Sequence, residues 1–286
     1  MEWLHALHAW AGMNIRERFL FLLNQEPEAI SLDEAALLVA AEEYPDLDIA
    51  AYQTRLDAMA RALQPRVAQE LDPARLVHLL NAYLFHHLGF RGNVEDYYDP
   101  RNSLLNDVID RRVGIPISLS IVYISVGTRL GLPLAGVSFP GHFAVTYRAS
   151  PDPLFLDAFN QGRLLRDSDF RLLFLEQFGP EARFDPAVLR PATPHEIIAR
   201  LLRNLTYIYV AQEDFPRAVR CSERLLYVTA LPADRRDLGM LLARDGRLRD
   251  AVPHLERYLK EVPEAADRAQ VEANLTRLQQ ALKRLN

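Results

Sequence analysis

One stretch, from Gly114 to Asp157, limits the choice of fold more than any other part of the chain. It reads Gly114-Ile115-Pro116-Ile117-Ser118, then an apolar run to Arg129, then Gly131-Leu132-Pro133. Phe139-Pro140-Gly141-His142-Phe143-Ala144-Val145 follows, and then Phe155-Leu156-Asp157. Proline is tolerated in the first turn of a helix, where its missing N–H is not needed, and glycine followed by proline stops one. The run from Pro116 to Arg129 is therefore expected to be a helix. Leu134–Phe139, Phe143–Tyr147 and Leu154–Phe159 are short, β-rich and separated by turn residues at Pro140-Gly141 and Ala149–Pro153. They read as an antiparallel meander. A helix followed by such a meander places His142 and Asp157 on neighbouring strands.

That order suits one kind of chemistry. A cysteine-type acyl-transfer site sets its nucleophile at a helix N-terminus, where the dipole favours the thiolate. A histidine takes the proton, and a carboxylate orients the ring. His142 and Asp157 fill the last two roles. The helix start, however, holds Pro116, and the chain has a single cysteine, Cys221, far along the sequence. Ser118 is turned about 200° around the helix from Pro116, and Ser120 lies roughly 6 Å further along the axis. Each reads more simply as a polar residue within the helix, and Cys221 as a small buried apolar one. A lone histidine on an apolar strand is more often a packing residue, so the pair by itself is a weak signal.

Composition narrows the classes. A chain of 286 residues, 49% hydrophobic and 25% charged, is of the globular kind. A net charge of −5 argues against a nucleic-acid partner. One cysteine allows no disulfide within the chain and fits a reducing cytoplasm. Met1-Glu2-Trp3-Leu4-His5 lacks the basic and apolar regions of a leader. No apolar run reaches the ~18 residues of a membrane span.

Residues 1–70 read as helical. Ser31 and Glu34 have capping-box spacing, Asp48 is placed to cap the next helix, and Asp72-Pro73 opens another. His86 and His87 diverge by about 100° on a helix, which suits no shared metal. Tyr97-Tyr98-Asp99-Pro100-Arg101-Asn102-Ser103 reads as a polar loop on an aromatic base, with Asn102 or Ser103 capping Leu104–Arg111. Arg111 and Arg112 read as charges at a helix end. Pro180, Pro186, Pro191 and Pro194 interrupt helix periodicity and read as a linker. Beyond it Leu205, Ala218 and Leu226 recur as Leu238, Ala251 and Leu259, about 33 residues on, which is the mark of a helical repeat.

The Gly114–Asp157 stretch, the Tyr98–Ser103 loop and these repeats together resemble the bacterial SirB-type transglutaminase-like proteins. The resemblance covers nearly the whole chain. In the wider superfamily the helix start reads Gly-x-Cys, followed by a Gly-Ile-Pro-like turn, a strand histidine and a strand aspartate. Gly114-Ile115-Pro116, Gly131-Leu132-Pro133, His142 and Asp157 match these in turn, with Pro116 at the nucleophile position. The resemblance implies an α+β fold: a mostly helical, papain-like part with a small antiparallel sheet (1–185), then tetratricopeptide-like helical repeats (195–286). It implies a vestigial dyad of His142 and Asp157, with Asn102, Ser103, Ser118, His142 and Asp157 as binding residues. No cofactor or metal is implied. The expected role is binding a protein or peptide, in the old active-site groove or on the repeats, with no membrane partner. The alternative is an active hydrolase or acyltransferase using His142, Asp157 and a serine hydroxyl.

Overall fold

The computed structural model describes residues 12–149 and 153–285. The helical reading of residues 1–11, the leader comparison and the turn at 150–152 lie outside the described residues. Among the described residues four helices come first: α1 (Ile15–Leu23), α2 (Leu32–Ala40), α3 (Ile49–Val67) and α4 (Pro73–Asn81). Their caps are local in sequence. Asn14 accepts from Glu17 N, Ser31 from Glu34 N, Asp48 from Ala51 N and Asp72 from Ala74 N. The reciprocal bond of the box at Ser31 is replaced by a longer reach, from Glu34 to Arg18 at 3.4 Å.

Helix α4 continues into one π-helical turn, Ala82–His87, in which His87 stacks on Tyr83 at 5.5 Å. A two-residue strand β1 (Arg91–Gly92) follows. Helix α5 (Leu105–Arg111) leads to β2 (Val113–Gly114), which pairs with β1 in parallel. Neither Asn102 nor Ser103 caps α5. Leu104 stands at its N-cap without a side-chain bond; the Asn102 oxygen accepts from Asn93 instead, and the Ser103 hydroxyl makes no hydrogen bond. Arg111 and Arg112 do close this helix: Arg111 lies 3.6 Å from Asp99, and Arg112 donates to Leu88 O at 2.6 Å.

The central element is α6 (Pro116–Arg129), buried from Pro116 through Gly127. It packs against α2, α3 and α5, and against the strands β3 (Leu134–Val137) and β4 (Ala144–Tyr147). Its end is sharp. Gly131 takes φ +75°, its N–H donates to Thr128 O, and Leu132 N donates to Gly127 O. These two bonds satisfy carbonyls that the last turn leaves open, and glycine bears the positive φ without a Cβ penalty.

The sheet runs β3-β4-β5-β6, antiparallel throughout, with β5 (Leu154–Asp157) and β6 (Arg163–Leu165). The three expected strands are present but shorter. The fourth, β6, was not foreseen: it has three residues, two of them exposed, too few for alternation to register. One face of the sheet meets α6. Against the other, α7 (Asp167–Phe178) brings Phe170, Phe174 and Leu173 onto Val137, Phe139, Ala144 and Leu165. Helix periodicity is indeed lost over 179–194, yet that segment is fastened down. A 3-10 turn, Pro186–Leu189, seats Leu189 in the same cluster, and Ala192 N donates to Gly136 O at 2.8 Å.

Five helices complete the chain: α8 (Pro194–Ala211), α9 (Phe215–Thr229), α10 (Pro232–Arg244), α11 (Leu248–Glu261) and α12 (Arg268–Leu285). The chain divides into two compact units, Met1–Leu201 and Leu202–Asn286, so the division falls within α8. In the second unit Leu205, Ala218, Leu238, Ala251 and Leu259 are all buried. Leu226 is half-buried, its neighbour Leu225 taking the inner position. No helix among the described residues is long and apolar enough to cross a membrane.

Candidate functional site

His142 sits in the β3–β4 connection, two residues before β4, rather than on a strand. Phe139 and Phe143, both buried, anchor the connection on either side of it, and His142 N donates to Phe139 O. Asp157 is the last residue of β5. Val145 faces Leu156 in the register, so Asp157 falls one step along from that pair, towards the histidine. The two side chains meet: His142 Nε2 lies 3.1 Å from Asp157 Oδ2, with side-chain exposures of 13% and 4%. The ring nitrogen is not squarely aimed at the oxygen, so it makes no aligned hydrogen bond. The contact is one of charge, at full strength when the imidazole is protonated.

The carboxylate is held from its other side. Oδ1 accepts from the backbone N–H groups of Phe159 and Asn160 at 3.0 and 3.1 Å, and Oδ2 accepts from Asn160 Nδ2 at 2.8 Å. Burial alone pushes the Asp157 carboxyl up. The nearby His142 and the bonds from Asn160 outweigh it and keep the group below the ordinary carboxylate value. The turn that carries these donors is tied in place in its turn. Gly162 N donates to Asp157 O, and Asn81 Nδ2, from the end of α4, donates to Gly162 O at 2.9 Å.

Pro116 is the first residue of α6 and buried. Ser118 and Ser120 have no exposed surface. Ser118 Oγ donates to Asn102 O at 2.5 Å and accepts from Ile115 N. Ser120 Oγ donates to Pro116 O at 2.7 Å. Each hydroxyl proton thus has a backbone carbonyl partner, which is the reverse of an activated nucleophile. Asn102 is likewise buried. Its Nδ2 donates to Asp96 O and Tyr97 O, and its Oδ1 accepts from Asn93. Ser103 is buried too, with its Oγ unpaired. The structure therefore brings His142 and Asp157 together. It sets Asn102, Ser103 and Ser118 inside the support of the Asn93–Ser103 loop and the start of α6. Cys221 is buried in α9. No group of three or more His, Cys, Asp or Glu among the described residues is placed to hold a metal.

Sequence reasoning missed Asn160 and Asn81. Asn160 had a local signal, since Asp157-Ala158-Phe159-Asn160-Gln161-Gly162 is rich in turn residues, and an aspartate there readily accepts from backbone two and three residues on. Asn81 had none, because its partner is 81 residues away.

A family model described as the transglutaminase-like superfamily matches residues 50–203, a span holding α6, the sheet, His142 and Asp157. The chain belongs to the transglutaminase-like superfamily. A tetratricopeptide-repeat model matches residues 205–283, which are the helices of the second unit. This transglutaminase-like chain is 41% identical to a UPF0162 protein of Xylella fastidiosa, over 85% of its own length and 88% of that protein's. A UPF0162 protein of Pseudomonas aeruginosa is 34% identical over 86% of this chain and 87% of its own. A shorter likeness, 35% over 100 residues, links it to F-box only protein 21 of Homo sapiens, covering 32% of this chain and 16% of that one. No solved structure matches the chain.

Proposed function

We propose that this protein is a SirB-type member of its superfamily that has given up catalysis and acts by binding a protein or peptide partner in the cytoplasm. On this reading residues 1–185 form the transglutaminase-like part and residues 195–286 the repeat part, and the protein is a pseudoenzyme. The observation that supports it best is Pro116 at the first position of α6. Proline has neither thiol nor ionisable proton, yet it suits a helix start. The helix and the His142–Asp157 pair remain while the reacting atom is missing. The hydroxyls of Ser118 and Ser120, bonded to backbone carbonyls, offer no substitute. Stacked helical repeats bury their faces on one another and leave an extended surface of the kind used for partners.

Three measurements test this. The natural protein is expected to show no amine incorporation, deamidation or peptidase activity that depends on a thiol, and Cys221→Ser is expected to leave partner capture unchanged. Pro116→Cys in a Cys221→Ser background is expected to give a thiol alkylated by iodoacetamide with a pKa well below the free value of about 8.5. Alkylation near that value would mean that residue 116 does not face the histidine. Thiol-dependent turnover by the natural protein, lost in Cys221→Ser, would overturn the reading.

A further inference from the structure

The loop after β1 carries an exposed run, Val94-Glu95-Asp96-Tyr97-Tyr98, in which Val94 is 78% and Tyr98 56% exposed. It adjoins the candidate site through one ring. Phe159, whose amide donates to Asp157, lies edge-on to Tyr97 with centroids 6.0 Å apart, and Tyr97 lies edge-on to Tyr98 at 5.3 Å. The row starts where it does because residue 92 is glycine: a Cβ there would stand 2.6 Å from the Phe159 ring.

The loop is also held ready. Asn102 Nδ2 donates to Asp96 O and Tyr97 O at 2.7 and 3.3 Å, Asn93 Nδ2 donates to Asn102 Oδ1 at 3.1 Å, and Asn93 Oδ1 accepts from Asp96 N at 3.0 Å. Its charges divide in two. Asp99 is buried and neutralised by Arg101 and Arg111. Glu95 and Asp96 are exposed, and neither carboxylate has a cation partner among the described residues. Arg200, the cation whose field reaches Tyr97, is itself engaged.

We propose that this loop is a docking surface for a basic, extended segment of a partner protein. An arginine or lysine stem lies along the Tyr97 ring, the cationic heads meet Glu95 and Asp96, and an apolar neighbour rests on Val94. The surface matches that chemistry. Cations are drawn to aromatic faces and to free carboxylates, while phosphate backbones are repelled by the same carboxylates. The inference rests on the partner-binding reading above and adds where the partner sits and what it carries.

The test uses the full chain and fluorescence anisotropy. The probe is a fluorescein-labelled peptide of about ten residues with two arginines flanking a leucine, and its control has glutamates in place of the arginines. The arginine peptide is expected to bind, more weakly as salt is raised. Its affinity should drop about fivefold or more in Glu95→Gln/Asp96→Asn. No binding of the arginine peptide, equal binding of the glutamate peptide, or unchanged affinity in the double variant would overturn the inference. Capture of the natural partner by the double variant as well as by the wild type would remove this surface while leaving the partner-binding reading intact. Only thiol-dependent turnover removes that reading itself.

Discussion

At the scale of single residues, the site is governed by where one carboxylate finds its donors. Asp157 takes three hydrogen bonds from Phe159 and Asn160 and faces His142. Asp157→Asn puts an amide N–H₂ where only acceptors fit, against either Asn160 or the backbone donors. Leaving these partly buried donors unpaired costs roughly 1 kcal/mol, the low end of the range for a buried group, and urea denaturation at pH 7 should show a loss of that order. The loss should depend on pH in one direction. The folded Asp157 carboxyl titrates below its ordinary value. Its contribution is therefore complete above the unfolded value of about 3.9 and disappears as pH falls through the lower folded value. The gap between wild type and variant should close on acidification, and a gap that stays constant down to pH 2 would show that the carboxylate's charge plays no part. The pairing of His142 with Asp157 was legible because adjacent strands bring such positions together. The placement of His142 before β4 was not, because the apolar Phe143 beside it reads as strand although β4 begins only at Ala144.

At the scale of elements, legibility followed the range of the interaction. The caps at Ser31, Asp48 and Asp72 and the stop at Gly131 depend on residues within a turn of one another, and all are present. The expected cap at Asn102 or Ser103 failed because α5 starts later than either could cap, with Leu104 at its N-cap, and the Asn102 oxygen accepts from Asn93 instead. The brace on the β5–β6 turn lies beyond local reading, since Asn81 reaches it from α4. Gly162 makes this brace testable. It takes φ +74°, and a Cβ there would stand 2.2 Å from Asn81 Oδ1. Gly162→Ala should therefore cost both the left-handed strain, about 1–2 kcal/mol, and the Asn81 bond, about 1 kcal/mol. Asn81→Ala should cost only the second. Thermal melts of the two variants should rank in that order. Equal losses would mean that the turn relaxes freely and that Asn81 does not fix it.

At the scale of the whole chain, the proline-rich segment and the compact division fall in different places, for a physical reason. The loss of periodicity near 191–194 marks where a helix begins, whereas compactness records which neighbours each turn packs against. Helix α8 begins at Pro194, behind a box in which Thr193 Oγ1 accepts from Glu196 N and Glu196 accepts from Thr193 N. Its first turns, with Ile197, Ile198 and Leu201 buried, count with the first unit, and the rest, with Leu205, Ile208 and Tyr209 buried, count with the second. The start signal of α8 therefore lies upstream of the division. A fragment beginning at Leu202 loses the cap, worth about 1 kcal/mol, and keeps only Leu202–Ala211 of α8. That is shorter than the ~12 residues at which isolated helices become even marginal. A fragment beginning at Thr193 keeps both cap and length. Circular dichroism melts should place Thr193–Asn286 roughly 5 °C or more above Leu202–Asn286, given the entropy of unfolding of a unit this small. Equal melting temperatures would mean that the helices after Phe215 carry the repeat unit by themselves and that α8 contributes nothing to it.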